Sequence, residues 1–316
     1  MKGMTVAIIG DAKLGSELGK KGTTSDVTFY NLKRGEVGIT YIEPSRYPEK
    51  IQSLAIALGM ADAAVLVIDK KDKILGECIV ALDAFEIKRG YIILQNYIQA
   101  EEIKPFISGT SIQNFEFVER DPNKLNDIFV DYNLPPIEGN VKVPVDHFFN
   151  VKGVGTVILG CVKRGVVKQH DNLEVLPIGK KTTVRSIQVH DKDVTEASFG
   201  NRVGLALKNI DASEFERGYV LAPEGTLKTS KEIEFNLNVS KFWKSTLQKD
   251  MVVHVVVGLQ IKPARVESIE GGTIAAGKVG KVKLTFEQPI ALDSPERIVL
   301  LDLYSKSSRV LGYGTL

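Results

Sequence analysis

Cysteine, histidine and long apolar runs are all scarce in this sequence of 316 residues. It contains two cysteines, Cys78 and Cys161, and four scattered histidines, with no spacing typical of a metal site. Two distant cysteines exclude a disulfide framework and favour a reducing compartment, so we expect a cytoplasmic protein without a bound metal. No apolar run approaches the ~18 residues of a membrane-spanning helix, and we expect no membrane partner.

The two signs of charge are nearly balanced, which excludes a strongly basic or strongly acidic chain. The net charge is +2. The balance shifts along the chain, since residues 1–139 carry 16 basic and 20 acidic side chains whereas residues 226–316 carry 13 and 9. A polyanionic partner would therefore favour the later part of the chain. The alternative is that this mixed surface serves only solubility.

The first 139 residues alternate apolar strands with amphipathic helices, a pattern typical of a mostly parallel α/β sheet. The predicted strands are Thr5–Ile9, Val27–Tyr30, Gly38–Ile42, Ala63–Ile68, Tyr91–Leu94 and Phe115–Val118. The predicted helices are Glu49–Gly59, Glu77–Lys88, Glu101–Ile107 and Asn123–Tyr132. The segment Leu134–Gly139, with two consecutive prolines, predicts a linker after this unit.

The remaining sequence consists of short alternating strands separated by Gly, Asp and Asn, which predicts antiparallel β-barrels. Pro223–Thr226 is the predicted joint between two of them. We therefore predict three domains: an α/β domain at 1–139 and β-barrels at 140–225 and 226–316. The predicted strands of the last barrel include Ile233–Val239, Val252–Val257, Val282–Phe286 and Ile298–Leu303.

The glycine-rich stretch Val151–Asp171 carries the clearest motif. Its sequence VKGVGTVILGCVKRGVVKQHD places the apolar segments Thr156–Leu159 and Val166–Val167 around a basic turn at Lys163–Gly165. Periodicity alone predicts a corner of a small antiparallel barrel. Together with PVDHFF before it and TTV, GLALKN and ERGYVLA after it, the stretch resembles the second domain of translational GTPases. That family includes elongation factor Tu and the selenocysteine factor SelB.

The resemblance implies that the α/β domain is a GTP-binding, P-loop NTPase-like domain, and the loop after the first strand bears on this directly. Gly10 and Gly15 stand at the spacing of the two P-loop glycines. Ser16 occupies the position of the lysine that contacts the phosphates, and Glu17 that of the hydroxyl that binds magnesium. A carboxylate beside a triphosphate is repulsive, and the missing lysine removes the main charge compensation.

The family's other nucleotide motifs are only partly kept. Thr24 matches the threonine that completes the magnesium shell, and Glu43 stands where an aspartate reaches the metal. Tyr47 replaces the histidine that orients the attacking water, and Ile98 replaces the aspartate that reads guanine. Gly10, Gly15, Thr24 and Glu43 are thus predicted to be a vestige of a nucleotide site. The short spacing after Gly15 predicts that the helix behind this site is stunted or absent.

The second domain of the relatives holds the amino acid esterified to tRNA, and the resemblance carries this pocket to six residues. Asp146 would meet the α-ammonium group, Gln188 would bond the ester region, and Phe149 would stack. The alternative is that Phe149 belongs to the core and the polar residues form a solvated barrel rim. The six candidates are Asp146, His147, Phe149, Gln188, Asp191 and Arg202.

The third domain resembles that of SelB more than that of elongation factor Tu, through VGLQ, PARV and the closing GYG. Four cations there are candidates for contacts with tRNA phosphates: Arg265, Lys278, Lys281 and Lys283. Solvated barrel lysines are the alternative. Taken whole, the chain resembles an archaeal group of SelB-like paralogues with a reduced front domain, one of which has been called a pyrrolysine factor.

These resemblances imply a monomeric protein of the elongation-factor kind that binds tRNA, aminoacyl-tRNA or the ribosome. We expect no bound cofactor and no efficient GTP hydrolysis. The alternative is a divergent GTPase that binds GTP and magnesium through substitute residues or needs a ribosomal activator. A third reading is a protein-interaction module that does not touch RNA.

Overall fold

The computed structural model describes residues 2–11 and 13–316. An α/β domain with a seven-stranded sheet comes first, and two closed antiparallel β-barrels follow it. This is the fold class that the sequence predicts. Within the described residues, no helix has both the length and the apolar character to cross a membrane.

The α/β domain contains a mixed sheet in the order β2-β3-β4-β1-β5-β6-β7, in which β1 and β4 to β7 run parallel. Helices α1 and α5 cover one face of the sheet, and α2, α3 and α4 cover the other. In chain order the elements are β1 (Lys2–Ile9), α1 (Leu14–Leu18), β2 (Lys20–Thr24), β3 (Thr28–Arg34), β4 (Val37–Glu43), α2 (Ile51–Met60), β5 (Ala63–Ile68), α3 (Lys73–Ala84), β6 (Gly90–Leu94), α4 (Ala100–Ile107), β7 (Glu116–Val118) and α5 (Pro122–Asp131).

Helix α3 lies closer to the N-terminus than the predicted range Glu77–Lys88, which was wrong at both ends. It begins early because Asp72 caps it, with its carboxylate accepting from the amides of Ile74 and Leu75 at 2.9 and 3.0 Å. The chain leaves the helix by Glu86, whose φ of 59° lies in the left-handed region. The capping aspartate was the signal that the periodicity argument overlooked.

Helix α1 has only five residues, little more than one turn, as the short spacing after Gly15 predicts. The chain then passes directly into β2, an edge strand that pairs with β3. The segment that resembles a switch loop, residues 21–26, is therefore partly an ordered strand. The front domain thus has a compact edge at the place where the relatives are expected to carry a longer helix and loop.

The second domain is a barrel in which β11, β16, β8, β9, β15 and β12 follow one another and the β11–β12 pairing closes the ring. The two segments on either side of the basic turn do not pair with each other. Strand β9 pairs with β8 and β15, and β10 pairs with β14. Its elements are β8 (Val143–Val151), β9 (Gly155–Cys161), β10 (Val166–Lys168), β11 (Asn172–Leu176), β12 (Lys180–Val189), β13 (Lys192–Val194), β14 (Glu196–Ser198), β15 (Arg202–Lys208), a 3₁₀ turn (Ala212–Glu214) and β16 (Val220–Ala222).

The third domain is a barrel closed in the order β17-β22-β20-β19-β23-β24, beside which β18 and β21 form a separate pair. Its core surrounds the fully buried Trp243, whose indole Nε1 donates to Asp302 at 2.9 Å. Its strands are β17 (Lys228–Val239), β18 (Thr246–Gln248), β19 (Val252–Val257), β20 (Gln260–Ile269), β21 (Thr273–Ala275), β22 (Val279–Leu292), β23 (Arg297–Leu301) and β24 (Val310–Thr315).

The front domain and the third barrel share one hydrophobic core. Val256, Leu259 and Val310 of the barrel are buried in the same cluster as helices α2 and α3. Polar contacts reinforce this seam, since Arg297 Nε donates to the carbonyl oxygen of Ala84 at 2.7 Å. Apolar packing and polar contacts thus join the front domain to the third barrel.

Helix α2 lies so close to the third barrel that adding one methyl group at Gly59 is expected to lower the stability of the protein. A Cβ added at Gly59 would lie 2.4 Å from the carbonyl oxygen of Gly258, so the backbones must separate. We expect Gly59→Ala to lower the free energy of unfolding by about 1–3 kcal/mol in urea denaturation. Gly76→Ala in α3 is the matched control, because nothing lies within 4 Å of its added Cβ. Gly76→Ala is expected to stabilise the protein by about 0.5–1 kcal/mol, because alanine favours the helix more than glycine does. Equal stability of the two variants would contradict the close contact between α2 and the third barrel.

Candidate functional site

The loop after β1 is crossed by an arginine from far along the chain. Arg120, which follows β7, donates to the carboxylates of Asp11 and Glu17, with shortest distances of 3.0 and 2.7 Å. Burial opposes ionisation of Asp11, but bonds from the Lys13 amide and from Arg120 hold the pKa of that carboxyl below its ordinary value. Ala12, inside this loop, lies outside the described residues. The two acidic groups of the turn are therefore both bonded to one cation of the same chain, which compensates only part of their negative charge.

Glu43, at the end of β4, occupies the space in front of the short helix. Its Oε1 accepts the backbone N–H of Gly15 at 2.9 Å, and the Tyr30 hydroxyl also bonds this carboxyl. Any larger residue at position 15 would have to displace Glu43 and Tyr30, because a Cβ there would lie 2.6 Å from Glu43 Oε1 and 2.7 Å from the Tyr30 ring. In a P-loop, backbone amides at this point bind phosphate. Here a carboxylate of the same chain accepts that hydrogen bond.

Burial makes Glu43 a pH-dependent element of stability. It is 5% exposed, and its burial raises the pKa to about 7, although bonds from Gly15 and Tyr30 oppose the shift. Between pH 4.5, the ordinary value, and about 7, the unfolded chain loses this proton while the folded protein keeps it. Stability from this group is therefore full at low pH and is lost as the pH rises through that range.

We accordingly expect Glu43→Gln to stabilise the protein relative to wild type at pH 8, by up to about 3 kcal/mol, and to have little effect near pH 5. Glutamine keeps an oxygen that accepts the Gly15 N–H but cannot ionise. Urea denaturation of both proteins across this pH range measures the difference. A difference that stays constant from pH 5 to pH 8 would contradict a buried Glu43 that titrates.

A cavity of about 440 Å³ remains at the carboxyl ends of β1, β4 and β5, lined in part by Gly10 and Glu43. The structure thus brings together Gly10, Gly15 and Glu43 of the predicted vestige, whereas Thr24 is exposed on β2 and does not line the cavity. Tyr47 turns inward, with its hydroxyl donating to Glu77 Oε2 at 3.1 Å. Among the described residues, no group of three or more His, Cys, Asp or Glu side chains is placed to hold a metal ion.

In the second domain, Asp146, His147 and Arg202 form one cluster. The carboxylate of Asp146 is 1% exposed, and both of its oxygens accept from the guanidinium of Arg202, at 2.7 and 2.8 Å. Nδ1 of His147 lies 2.6 Å from Asp146 Oδ1. An α-ammonium group would therefore compete with Arg202 for this carboxylate.

The front domain covers this cluster. The guanidinium of Arg202 lies 3.7 Å from the centre of the Phe29 ring, and His147 Nε2 is 3.2 Å from Ser25 Oγ. Nearby, Arg217 forms two bonds to the Asp26 carboxylate, at 2.7 and 2.8 Å. Sequence reasoning missed Phe29, Asp26 and Arg217, because no short motif links residues so far apart.

The outer face of the second barrel carries the other pocket candidates. Pairing places His147 and Gln188 on one row, with Leu159 and the side-chain-free Gly204 between them. Three strand spacings separate them by roughly 14 Å. Phe149 is 42% exposed, on β8 two residues beyond His147, and is therefore not core.

Gln188 and Asp191 lie at the far side of this face. Gln188 Nε2 donates to Asp193 at 2.9 Å, and Asp191 sits in the turn between β12 and β13 with φ of 60°. The six candidates thus divide into a buried, front-facing group of Asp146, His147 and Arg202 and an exposed group of Phe149, Gln188 and Asp191. His147 is half-buried and lies between the two groups, since it contacts Asp146 and also borders the exposed face.

Three of the four cations predicted to contact nucleic acid pair with neighbouring carboxylates, while exposed Lys278 forms no salt bridge to any described residue. The partners are Asp250 for Arg265 at 3.7 Å, Glu234 for Lys281 at 3.0 Å, and Glu232 and Glu267 for Lys283 at 3.0 Å. Such exposed pairs contribute about 0–1 kcal/mol each. The outer strands of the third barrel therefore present less free positive charge than the sequence indicates.

Comparison with known proteins places this geometry in context. The elongation factor Tu domain 2 family model matches residues 155–222. The chain is 42% identical over its whole length to all of the uncharacterized protein MJ0325 of Methanocaldococcus jannaschii. It is 28% identical to the selenocysteine-specific elongation factor of the same organism, across 93% of this chain and 71% of that factor.

Solved structures of selenocysteine factors share the whole architecture. SelB from Methanococcus maripaludis in complex with the GTP analogue GppNHp superposes with a TM-score of 0.83 at 26% identity, covering 100% of this chain and 79% of that one. Its apo form gives 0.79 at 26% identity, covering 100% and 80%. A bacterial factor, EF-Sec, shares the fold with a TM-score of 0.83 at 20% identity, covering 100% and 58%.

Proposed function

Because this chain belongs to the SelB-like translational GTPase superfamily and to the family of MJ0325, we propose that it is a cytoplasmic elongation-factor-like protein that binds aminoacyl-tRNA or a ribosomal component without hydrolysing GTP. The observation that carries the second half of this proposal is the hydrogen bond between Glu43 and the Gly15 amide. It supplies from within the chain the acceptor that a phosphate supplies in a P-loop.

Electrostatics at the same turn supports the absence of a nucleotide. A triphosphate bound there would lie beside the carboxylates of Asp11, Glu17 and Glu43, with a serine in place of the P-loop lysine. Arg120 is already engaged by the first two of these carboxylates. A triphosphate would have to compete with Glu43 for the Gly15 amide and with Asp11 and Glu17 for Arg120, so binding is opposed both by repulsion and by lost internal bonds.

The domain arrangement supports a protein that needs no hydrolytic switch. In GTPases with a working switch, the γ-phosphate and magnesium order the switch loops, and hydrolysis releases them. In this chain the corresponding loop is fastened by protein groups, since Tyr47 bonds Glu77 and Arg309 of the third barrel bonds Glu77 and the carbonyl oxygen of Pro48. We infer that the assembled arrangement is the resting one and that a partner, not a nucleotide, regulates it.

The outer face of the second barrel is the proposed site for an esterified amino acid. Phe149 offers an exposed ring, Gln188 offers an amide, and His147 lies at the boundary with the front domain. Asp146 is better suited to orient Arg202 and His147 than to meet an α-ammonium group directly, because Arg202 engages both of its oxygens.

A second candidate function is a divergent GTP-binding factor that uses substitute residues or a ribosomal activator. The open cavity of about 440 Å³ beside Gly10 and Glu43 is the observation that favours it. Nucleotide titration distinguishes the two candidates.

Filter binding with aminoacylated and deacylated tRNA tests the leading proposal. We expect aminoacylated tRNA to bind more tightly, with an affinity that falls as salt rises, by a slope of about 0.7–0.9 per phosphate contact. Phe149→Ala and Gln188→Ala should reduce the preference for the charged form, whereas Val252→Ala, an exposed apolar site on the third barrel, should not. Absence of binding at low salt would contradict the RNA part of the proposal, and equal affinity for both tRNA forms would contradict the amino-acid site.

A further inference from the structure

A groove of about 720 Å³ lies on the seam between the front domain and the third barrel. Helices α3 and α4 form one wall. The other wall consists of two loops of the third barrel, residues 240–245 after β17 and residues 302–309 before β24. The groove lies apart from the cavity beside Glu43 and from the outer face of the second barrel, so neither proposed site accounts for it.

The floor and sides of this groove are apolar. Ile79, Val80 and Val310 line it, and two phenylalanines stand exposed on opposite walls. Phe106 of α4 is 56% exposed, and Phe242 of the third barrel is 49% exposed. Exposed aromatic side chains on both sides of a concave apolar surface are typical of an interaction site.

Four lysines surround the apolar floor, and none of them forms a salt bridge with a described carboxylate. They are Lys73, Lys241, Lys244 and Lys306. Lys244 Nζ donates only to the carbonyl oxygen of Lys241, which leaves its charge uncompensated. The outer strands of the third barrel differ in this respect, because Lys281 and Lys283 there are paired.

The acidic groups of the groove offset only a small part of this charge. Glu77 is buried and bonded by Arg309, with Arg309 Nε donating to Oε1 at 3.1 Å. Asp83 Oδ1 accepts the backbone N–H of Ser111 at 2.8 Å. The free charge at the rim is therefore positive, around an apolar centre.

The groove is held open before any partner arrives. The two barrel loops are joined by the Lys244 amide, which donates to Ser307 Oγ at 3.0 Å, and the first loop is anchored by the fully buried Trp243. The Glu77–Arg309 contact ties the barrel side to α3. A partner would therefore bind without first ordering these walls, which lowers the entropic cost of docking.

We propose that this groove docks an acidic amphipathic helix of a partner protein. An apolar stripe would lie between Phe106 and Phe242, and carboxylates on its flanks would meet the four lysines. The strands that reach the groove, β17 and β24, are both paired on both sides within the closed barrel, so no free edge is offered to an extended peptide. A helix that lays an apolar face into a hydrophobic groove is an established recognition mode, and the lysines around this groove favour a helix with acidic flanks.

Fluorescence anisotropy with a defined probe tests this proposal on the full chain. The probe is a labelled synthetic helix with leucines at i, i+3, i+4 and i+7 and glutamates at the other positions. A peptide of the same composition in scrambled order and one with lysine in place of glutamate serve as comparisons. We expect the probe to bind with a Kd on the order of 10 µM and both comparison peptides to bind at least about tenfold more weakly.

Variants localise the binding. Phe242→Ala and the double variant Lys241→Glu/Lys306→Glu should each weaken binding at least about tenfold, the charge reversal also removing its salt dependence. Lys192→Glu/Lys208→Glu, on exposed lysines of the second barrel, is the matched control and should bind as wild type does. All these positions are exposed, so folding is expected to be unaffected, and circular dichroism checks it.

Three results would overturn the proposal. The first is no binding of the acidic helix, and the second is binding that the groove variants leave unchanged. The third is that the groove variants weaken the binding of tRNA but leave the binding of the acidic helix unchanged, which would make the groove an RNA site. The tRNA preference for aminoacylation is read from Phe149 and Gln188, so failure here leaves that test unaffected.

Discussion

Arg202→Leu is expected to lower the free energy of unfolding by about 3–5 kcal/mol, because it leaves the carboxylate of Asp146 buried without its bidentate partner. Asp146 is 1% exposed, so water cannot replace the two lost hydrogen bonds. The change also removes the guanidinium from the face of Phe29, a contact between the second barrel and the front domain. Equilibrium urea denaturation measures the loss.

The double variant Arg202→Leu/Asp146→Leu separates the buried charge from simple loss of packing. It removes both charges, so we expect it to recover most of the stability that Arg202→Leu loses. The free energy of unfolding of Arg202→Lys should lie between those of wild type and Arg202→Leu, because an ammonium group keeps the charge but cannot form the bidentate contact of a guanidinium. A loss below about 1 kcal/mol for Arg202→Leu would mean that the pair behaves as an exposed one.

Arg309→Met is expected to cost about 3–5 kcal/mol and to loosen the seam between α3 and the third barrel. Arg309 donates to Glu77 through both its backbone N–H and its Nε, at 2.9 and 3.1 Å, and its Nη1 donates to the carbonyl oxygen of Pro48 at 2.8 Å. Methionine keeps the apolar stem but none of the side-chain donors. Because the front domain then loses a main polar anchor, we expect scanning calorimetry to resolve two transitions in place of one.

Arg265→Met provides the comparison for this prediction. Arg265 pairs with Asp250 at 3.7 Å on the exposed surface of the same barrel, so its loss should cost less than about 1 kcal/mol and leave a single transition. If Arg309→Met behaved in the same way, the proposal that protein contacts hold the domains in place would lose its main polar support.

The fold could be predicted where apolar runs have clear limits. Ala63–Ile68 and Val252–Val257 have the predicted bounds in the structure. The first is a continuous apolar run between two aspartates, and the second is a run of valines, interrupted by His254, that ends at Gly258. Strand β22 was predicted too short, because it continues beyond Phe286 to Leu292 through the segment Glu287–Pro289, whose polar residues and proline interrupt the apolar pattern. The order of domains followed from the same periodicities, and their residue boundaries stay a prediction.

The candidate site could be predicted only in its local parts. Gly10, Gly15 and Glu43 come from motifs at fixed spacing, and the parallel sheet brings them to one edge. Arg120 could not be predicted, because it reaches Asp11 and Glu17 across more than 100 residues of sequence and lies in no motif. The same holds for Arg309, whose identity gives no sign that it bonds Glu77.

Tyr47 illustrates how a motif position acquires another role. Its place in the sequence matches a histidine that orients water in the family, which led us to expect a lost catalytic group. The structure shows its hydroxyl bonded to the Ile74 carbonyl oxygen and to Glu77, so it connects the loop after β4 to helix α3. The sequence therefore shows that the catalytic histidine is missing at this position, but it does not show that Tyr47 connects the loop to helix α3.

Isothermal titration with GTP and magnesium tests most directly whether protein contacts have replaced the nucleotide. SelB from Methanococcus maripaludis, whose structure contains GppNHp, provides the positive control. For this protein we expect a Kd for GTP no lower than about 1 mM, which corresponds to a binding free energy of about −4 kcal/mol. Micromolar affinity for GTP, with turnover above buffer, would contradict the account.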